Sequence, residues 1–422
     1  MRKLLAVQAA ALGADFARRN GMERVAGMEM QSVPSAFPAV TCVASAGFRT
    51  AAGPESHGVR ANGWLDRTLL EPCFWKQPAG IVRGPRIWDG YRARGGTVAV
   101  GFVQQSLGER ADAVVSPAPI HKHGGGMVMD CYSSPRRFYE TLRAGNGKDF
   151  TLLDYWGPLA SPRSSEWIAR GFAHYLASPG AAGFVWAYLP CLDYDLQRFG
   201  PDSPQAARSA AALKGQMELL ADAARSAGYE TLFFGDYAVE AVSAGVSFPN
   251  RLLRRAGLFS VRMVRGMAYH DFHTSAAFAV CDHQIAEVEL FDPSAAAKAR
   301  ACVESDPLVA SVEDVSDASG ARLRIVARQG AWFAYPWWDD PREAPEFAGH
   351  VDIHAKPGFD PCELFFARFN PFRVSQDASM VRGTHGRAAL PCAFYSSAVH
   401  GVSGQFEELA RAVRAFMDGG GR

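Results

Sequence analysis

Pro38-Ala39-Val40-Thr41-Cys42 places a hydroxyl residue at the end of a short apolar run that follows two prolines. Gly53, His57-Gly58 and Asn62-Gly63 come next, turn-forming and polar residues of the kind that build a phosphate-site loop. Thr41 is read as a nucleophile; the competing reading makes it a helix-capping Thr. Two isolated acids, Asp193 and Asp236, fall just past apolar runs at 183–189 and 230–235, and Gln8 ends a third such run. Either Asp is also an ordinary turn residue beyond a strand. His385, between Thr384 and Gly386, is read either as part of the surroundings of Thr41 or as a loop histidine. His350, Asp352 and His354 alternate, so on an extended segment all three face one side. Imidazole, carboxylate and imidazole suit a transition metal, but a polar edge strand has the same pattern. His283, after Asp282, is read as structural.

These residues need elements to position them. Residues 3–9, 97–104, 183–189 and 230–235 read as strands, and 164–176 and 206–227 as helices. Strands alternating with helices predict an α/β domain with a largely parallel sheet. Ligands of such sheets bind outside the carboxyl ends of the strands, where Gln8, Asp193 and Asp236 fall. From about 275 the texture changes to short strands at 285–291, 309–315, 322–327 and 331–335 with a helix at 295–303. The expected division is a core of 1–270 and 336–422 with a small α+β insertion or cap at 271–335 that covers the site. Residues 403–416 read as an amphipathic helix capped by Ser403. Residues 121–126 read as a surface loop, or else a lid, and 419–422 as a frayed tail.

The chain has 422 residues, 48% of them hydrophobic, and a formal net charge of +1. That length supports one large domain with an insertion, or two domains. The near-zero, well-mixed charge gives no support for nucleic-acid or membrane-surface binding. No apolar run approaches the ~20 residues of a membrane span. Met1-Arg2-Lys3 and the apolar run behind it resemble a secretory signal, but Gln8 and the polar stretch from Asp15 favour a core strand. Eight cysteines are scattered singly, as expected of buried thiols in a reducing cytoplasm. Oligomeric state has no signature in the sequence.

Together the marks FPAVTC (37–42), HG and NGW (57–64), LPCLDYDLQRFGPD (189–202), AFAVCDHQIA (277–286), KPGFDPCELFF (356–366) and GTHG (383–386) resemble the type I phosphodiesterase / nucleotide pyrophosphatase family of the alkaline phosphatase superfamily. The resemblance implies an α/β core with a central, mostly parallel sheet between helical layers. It also implies two adjacent metal ions, usually zinc, and a Thr or Ser that is transiently phosphorylated. Metal coordination would lower the pKa of a hydroxyl that is otherwise a poor nucleophile. By the resemblance, Thr41 matches the nucleophile and Asn62 the amide donor to a phosphoryl oxygen. Asp193 and Asp236 match metal-binding carboxylates, and His385 a metal-binding imidazole. Three ligand positions depart: Gln8 stands for Asp, Gln197 for His and Tyr237 for His. The expectation is therefore at most one tightly bound divalent metal (zinc, manganese or iron) on Asp193 and His385, with Gln197 or the His350, Asp352, His354 group added. The implied activity is metal-assisted hydrolysis of a small phosphodiester, pyrophosphate or phosphomonoester. The alternatives are a degenerate member that binds a phosphorylated metabolite without turnover, and an atypical one-metal hydrolase.

Overall fold

A computed structural model describes residues 1–123 and 126–419. Gly124 and Gly125 of the 121–126 loop, the side chain of His121, and residues 420–422 of the tail lie outside the described residues. The chain forms two compact units, one of residues 1–59, 77–239 and 388–422, the other of residues 60–76 and 240–387.

The first unit is built on an eight-stranded sheet. Its order is Tyr132–Ser134, Ala113–Ser116, Val98–Gly101, Phe184–Leu189, Leu4–Ala9, Glu230–Gly235, Pro391–Ser396 and Gln31–Pro34. The five strands from Ala113–Ser116 to Glu230–Gly235 run parallel. Antiparallel strands close both sides. The apolar runs LLAVQA and FVWAYL are buried along their whole length, as strands covered on both faces must be. Residues 3–9 are thus core strand, not a segment set apart from the fold.

Pairing sets Ala6 beside Trp186 and Leu232, and Gln8 beside Tyr188 and Phe234. Because strand side chains alternate, these residues share one face. Phe48 of the helix Thr41–Thr50 packs there, its ring 4.3 Å from that of Phe234 and 5.2 Å from that of Trp186. Phe234 also meets Phe406, the first residue of the helix Phe406–Met417. Arg49, fully buried, donates to the carbonyls of Gln104 and Gln105 and pairs with Glu109 at 3.1 Å. These contacts hold the helix against the sheet. The helix expected at 403–416 starts only at Phe406, with Gln405 rather than Ser403 in the cap position, and Phe406 packs on Phe234 of the sheet.

In the second unit, Ala277–Asp282, Ile285–Leu290, Arg322–Ala327 and Val309–Asp314 form a four-stranded antiparallel sheet in that order. The helix Ala296–Glu304 connects two of them. His283 and Gln284 make a two-residue turn, and His283 takes a left-handed φ of 58°. All eight cysteines are free thiols. Among the described residues no helix is long and apolar enough to cross a membrane.

Phe48 is the main apolar anchor of the helix that carries Thr41. Phe48→Ala is expected to lower the unfolding free energy by about 3–5 kcal/mol, the usual range for a fully buried Phe. Leu219→Ala, at a side chain 41% exposed, is expected to cost under about 1 kcal/mol. Chemical denaturation of the two variants checks this, and equal losses would refute the anchoring role.

Candidate functional site

Parallel strands deliver their carboxyl ends to one edge of a sheet. Here the register brings Ala9 level with Leu189 and Gly235. Beyond Leu189 the chain enters the helix Cys191–Phe199, which places Asp193 in a first turn. Beyond Gly235 comes Asp236 at once. Gly235 is required there, since a Cβ would lie 2.2 Å from the Leu12 carbonyl oxygen. That close approach holds the turn after Ala9 against the strand end. Thr41 is the first residue of its helix and Val40 is the cap residue, so the capping reading of Thr41 does not hold.

Gln8, Thr41, Asp193, Gln197, Asp236 and Tyr237 are all buried in this unit. Gln8 Nε2 donates to Asp236 Oδ2 at 3.0 Å and to Ser45 Oγ at 3.1 Å. Asp236 Oδ1 accepts the Ala11 and Tyr237 backbone N–H groups, each at 3.0 Å. Gln197 lies one helical turn beyond Asp193, so its Nε2 reaches Asp193 Oδ2 at 2.6 Å. The buried Gln197 Oε1 has no hydrogen-bond partner. Thr41 Oγ1 donates to the Tyr237 hydroxyl at 3.5 Å, and that hydroxyl in turn supports Asp193.

Burial pushes Asp193 up to about 7 against the opposing pull of Gln197 and Tyr237. Asp236 is likewise pushed up to about 7 by burial, with Gln8 and the Ala11 N–H opposing and the charge of Asp193 adding to the rise. Tyr237 is held well above the ordinary tyrosine value, chiefly by burial and then by the two carboxylates. Tyr237 is therefore a neutral phenol at neutral pH, a hydrogen-bonding group rather than a phenolate ligand.

The two divalent ions implied by the resemblance are a test of this donor set. A ligating carboxylate must turn a lone pair to the cation. Here one oxygen of each carboxylate accepts an amide N–H, from Gln8 or from Gln197, while the buried Asp193 Oδ1 has no hydrogen-bond partner among the described residues. Among the described residues no group of three or more His, Cys, Asp and Glu is placed to hold a metal ion. The side chains of this unit do not fit a metal pair.

The remaining candidates belong to the second unit. Asn62 donates through its backbone N–H to Asp282 Oδ2 at 2.7 Å and through Nδ2 to Oδ1 at 3.1 Å. Burial pushes Asp282 up to about 7, opposed by these bonds. His385 is buried, its ring 3.7 Å from the ring of His283. The other face of His283 stacks on Phe359, also at 3.7 Å. Burial first and His385 second hold His283 well below the ordinary histidine value, so it is neutral.

His350, Asp352 and His354 do not line one face of a strand. The chain turns there, with the Ala355 and Lys356 N–H groups donating to the Asp352 carbonyl. His350 Nε2 faces Arg373 at 3.4 Å, and His354 Nδ1 faces the Phe74 carbonyl at 3.2 Å. The period-two reading fails because a turn, not an extended segment, carries the three residues.

Two partners had been given no role. Ser45, which braces Gln8, was legible as the i+4 neighbour of Thr41 once the helix was placed. Asp282, which holds Asn62, carried no signal of a pairing across 220 positions.

Known structures share this architecture. Murine ectonucleotide pyrophosphatase / phosphodiesterase 5, as an inactive variant in complex with AMP, is similar with a TM-score of 0.60 at 11% identity, over 99% of this chain and 95% of that one. Phosphonoacetate hydrolase from Sinorhizobium meliloti 1021 in complex with phosphonoformate is similar with a TM-score of 0.60 at 15% identity, over 98% and 96%. The same hydrolase with phosphonoacetate gives 0.58 at 15% identity, over 98% and 96%. At these identities the likeness shows the fold, a mostly parallel sheet flanked by helices of the alkaline-phosphatase-like kind. No curated protein matches the chain by sequence. Residues 21–360 match the family described as Type I phosphodiesterase / nucleotide pyrophosphatase, and the chain belongs to that family.

Proposed function

We propose that the protein hydrolyses a small phosphodiester, pyrophosphate, phosphomonoester or phosphonate with Thr41 as nucleophile. The family is one of phosphoryl-transfer hydrolases, and AMP and phosphonoformate, bound by similar structures, are ligands of this class. The observation that carries the reading is the setting of Thr41. It opens a buried helix whose first turn has no acidic residue and no side-chain cap. The positive end of such a helix favours a phosphoryl anion beside the hydroxyl.

Thr41 Oγ1 attacks phosphorus, and the bond to the leaving oxygen breaks. The Thr41 proton passes toward the Tyr237 oxygen it already faces, while Tyr237 yields its own proton to Asp193 and stays neutral. The leaving oxygen departs with the bonding electrons and takes a proton from solvent; water then attacks phosphorus and gives a proton to solvent, the bond to Thr41 Oγ1 breaks, and the proton held on Asp193 returns through Tyr237 to Oγ1. On their family positions, Asn62 is assigned the donor to a phosphoryl oxygen and His385 a ligating imidazole. A divalent cation on Asp193, zinc in the family's usual form, would have to displace the Gln197 amide.

A second reading, binding without turnover, is favoured by those same amide bonds. They occupy one oxygen of each carboxylate that would otherwise hold a cation to lower the pKa of Thr41. Assays with aryl phosphodiesters and phosphomonoesters separate the readings. Thr41→Ala is expected to reduce kcat/KM by about 1000-fold and Thr41→Ser by under about 10-fold. Equal rates in wild type and Thr41→Ala would remove Thr41 as nucleophile. Calorimetric binding of a phosphate ester that wild type never turns over would establish the second reading.

The two raised carboxyls also set a pH dependence of stability. The folded state holds their protons more tightly than the unfolded chain, whose carboxyls ionise near the ordinary 3.8. Their stabilisation is complete below that value and is lost as pH rises through about 7. Between pH 5 and 8 the unfolding free energy is expected to fall by on the order of 2–4 kcal/mol for each carboxyl that must ionise. Asp236→Asn keeps an acceptor for the Ala11 and Tyr237 N–H groups and removes one ionisation. Its denaturation midpoint should drop less over that interval than that of wild type, and an equal drop would show that Asp236 does not contribute.

A further inference from the structure

We infer that the amides of Gln8 and Gln197 stand in for the family's metal pair, so that the Thr41 site is held together by hydrogen bonds and takes up no paired divalent cation. The inference rests on the family assignment and on geometry within the first unit.

A carboxylate buried in a protein needs its charge met by a cation or by hydrogen-bond donors. Asp236 has three N–H donors: Ala11 and Tyr237 from the backbone, and Gln8 from its side chain. Those from the backbone are fixed by the turn that Gly235 admits. The orientation of Gln8 follows from its neighbours. Turning its Oε1 toward Asp236 would set two acceptors against each other, whereas the Ser45 hydroxyl can donate to Oε1 at 3.1 Å as the amide now stands. Gln197 is constrained similarly, since its helical spacing from Asp193 directs Nε2 onto Oδ2.

The third substitution acts the same way. Tyr237 is a buried phenol whose oxygen accepts from Thr41. A hydroxyl–hydroxyl contact thus takes the place of an imidazole ligand. The two sets that would each need about three good donors are left with one carboxylate apiece in this unit, and each carboxylate already accepts an amide N–H through one oxygen.

Metal content and thermal stability of the full chain test this without any substrate. Wild type and the triple variant Gln8→Asp, Gln197→His, Tyr237→His are purified without chelator and titrated with zinc, manganese and iron. Wild type is expected to carry under about 0.2 equivalents of metal and to shift its Tm by under about 1 °C, since only binding to the folded state raises Tm. The triple variant is expected to take up at least about one equivalent and to gain several degrees, with the gain abolished by chelator. Two equivalents bound by wild type would overturn the inference. So would a folded triple variant, judged by circular dichroism, that still takes up no metal. If the triple variant does not fold, the single variants Gln8→Asp and Gln197→His replace it, each expected to raise metal uptake above wild type. Failure of the Thr41 hydrolysis assay would leave these readouts unaffected, so the two proposals fail separately.

Discussion

Burying a carboxylate in a protein interior costs several kcal/mol unless its charge is answered locally. The first unit places two such groups, Asp193 and Asp236, just past the ends of the two parallel strands that flank Leu4–Ala9, and the nearby backbone answers Asp236 directly. The turn after Ala9 supplies the Ala11 N–H to Asp236. That turn lies where it does because Gly235 has no side chain to push it away. The helix Cys191–Phe199 opens close behind its strand, so Asp193 sits in the favourable first turn and Gln197 follows at the spacing that lets its amide reach back. The sheet register does the rest, since moving Leu4–Ala9 by one residue would turn Gln8 away from Asp236 and toward the opposite face.

The same constraint shapes what the site can bind. A phosphoryl anion approaching two ionised carboxylates meets repulsion that a low-dielectric interior magnifies. Here the opposing factors are the amide donors, the partial protonation of both carboxyls near neutral pH, and the positive end of the Thr41–Thr50 helix. Tyr237 links these parts, because its hydroxyl faces Thr41 on one side and supports Asp193 on the other. An imidazole in that position would be charged or neutral according to pH; a buried phenol is neutral throughout the physiological range.

Regular elements were legible from the sequence wherever apolar runs were long and cleanly bounded. The strands at 183–189 and 230–235 and the helices at 164–176 and 206–227 lie within one or two residues of the observed Phe184–Leu189, Glu230–Gly235, Arg163–Leu176 and Pro204–Ser226. What failed depended on contacts the local sequence does not carry. Ser403 looked like a helix cap, yet that helix starts at Phe406, whose ring meets Phe234 of the sheet. The alternation of His350, Asp352 and His354 is real in sequence, but alternation implies a shared face only if the backbone is extended, and there it turns. The grasp of Asp282 on Asn62 spans 220 positions and has no local signature at all.

Whether amides or cations occupy such a site is decided by the number of anionic donors more than by the strength of the existing bonds. Each amide–carboxylate hydrogen bond is worth about 1.5–3 kcal/mol net. A well-ligated structural zinc binds with roughly 10–16 kcal/mol, which would readily displace both. That larger figure belongs to sites with four thiolate or imidazole ligands. In the first unit each carboxylate stands beside a neutral amide and a neutral phenol. With one anion in each set, most of the cation's hydration would have to be given up for weak neutral oxygens, and the balance returns to the hydrogen bonds. Gln8, where the resemblance implies an Asp, would on the inference above act twice: it lacks the anion that would draw a metal, and its N–H meets the Asp236 carboxylate.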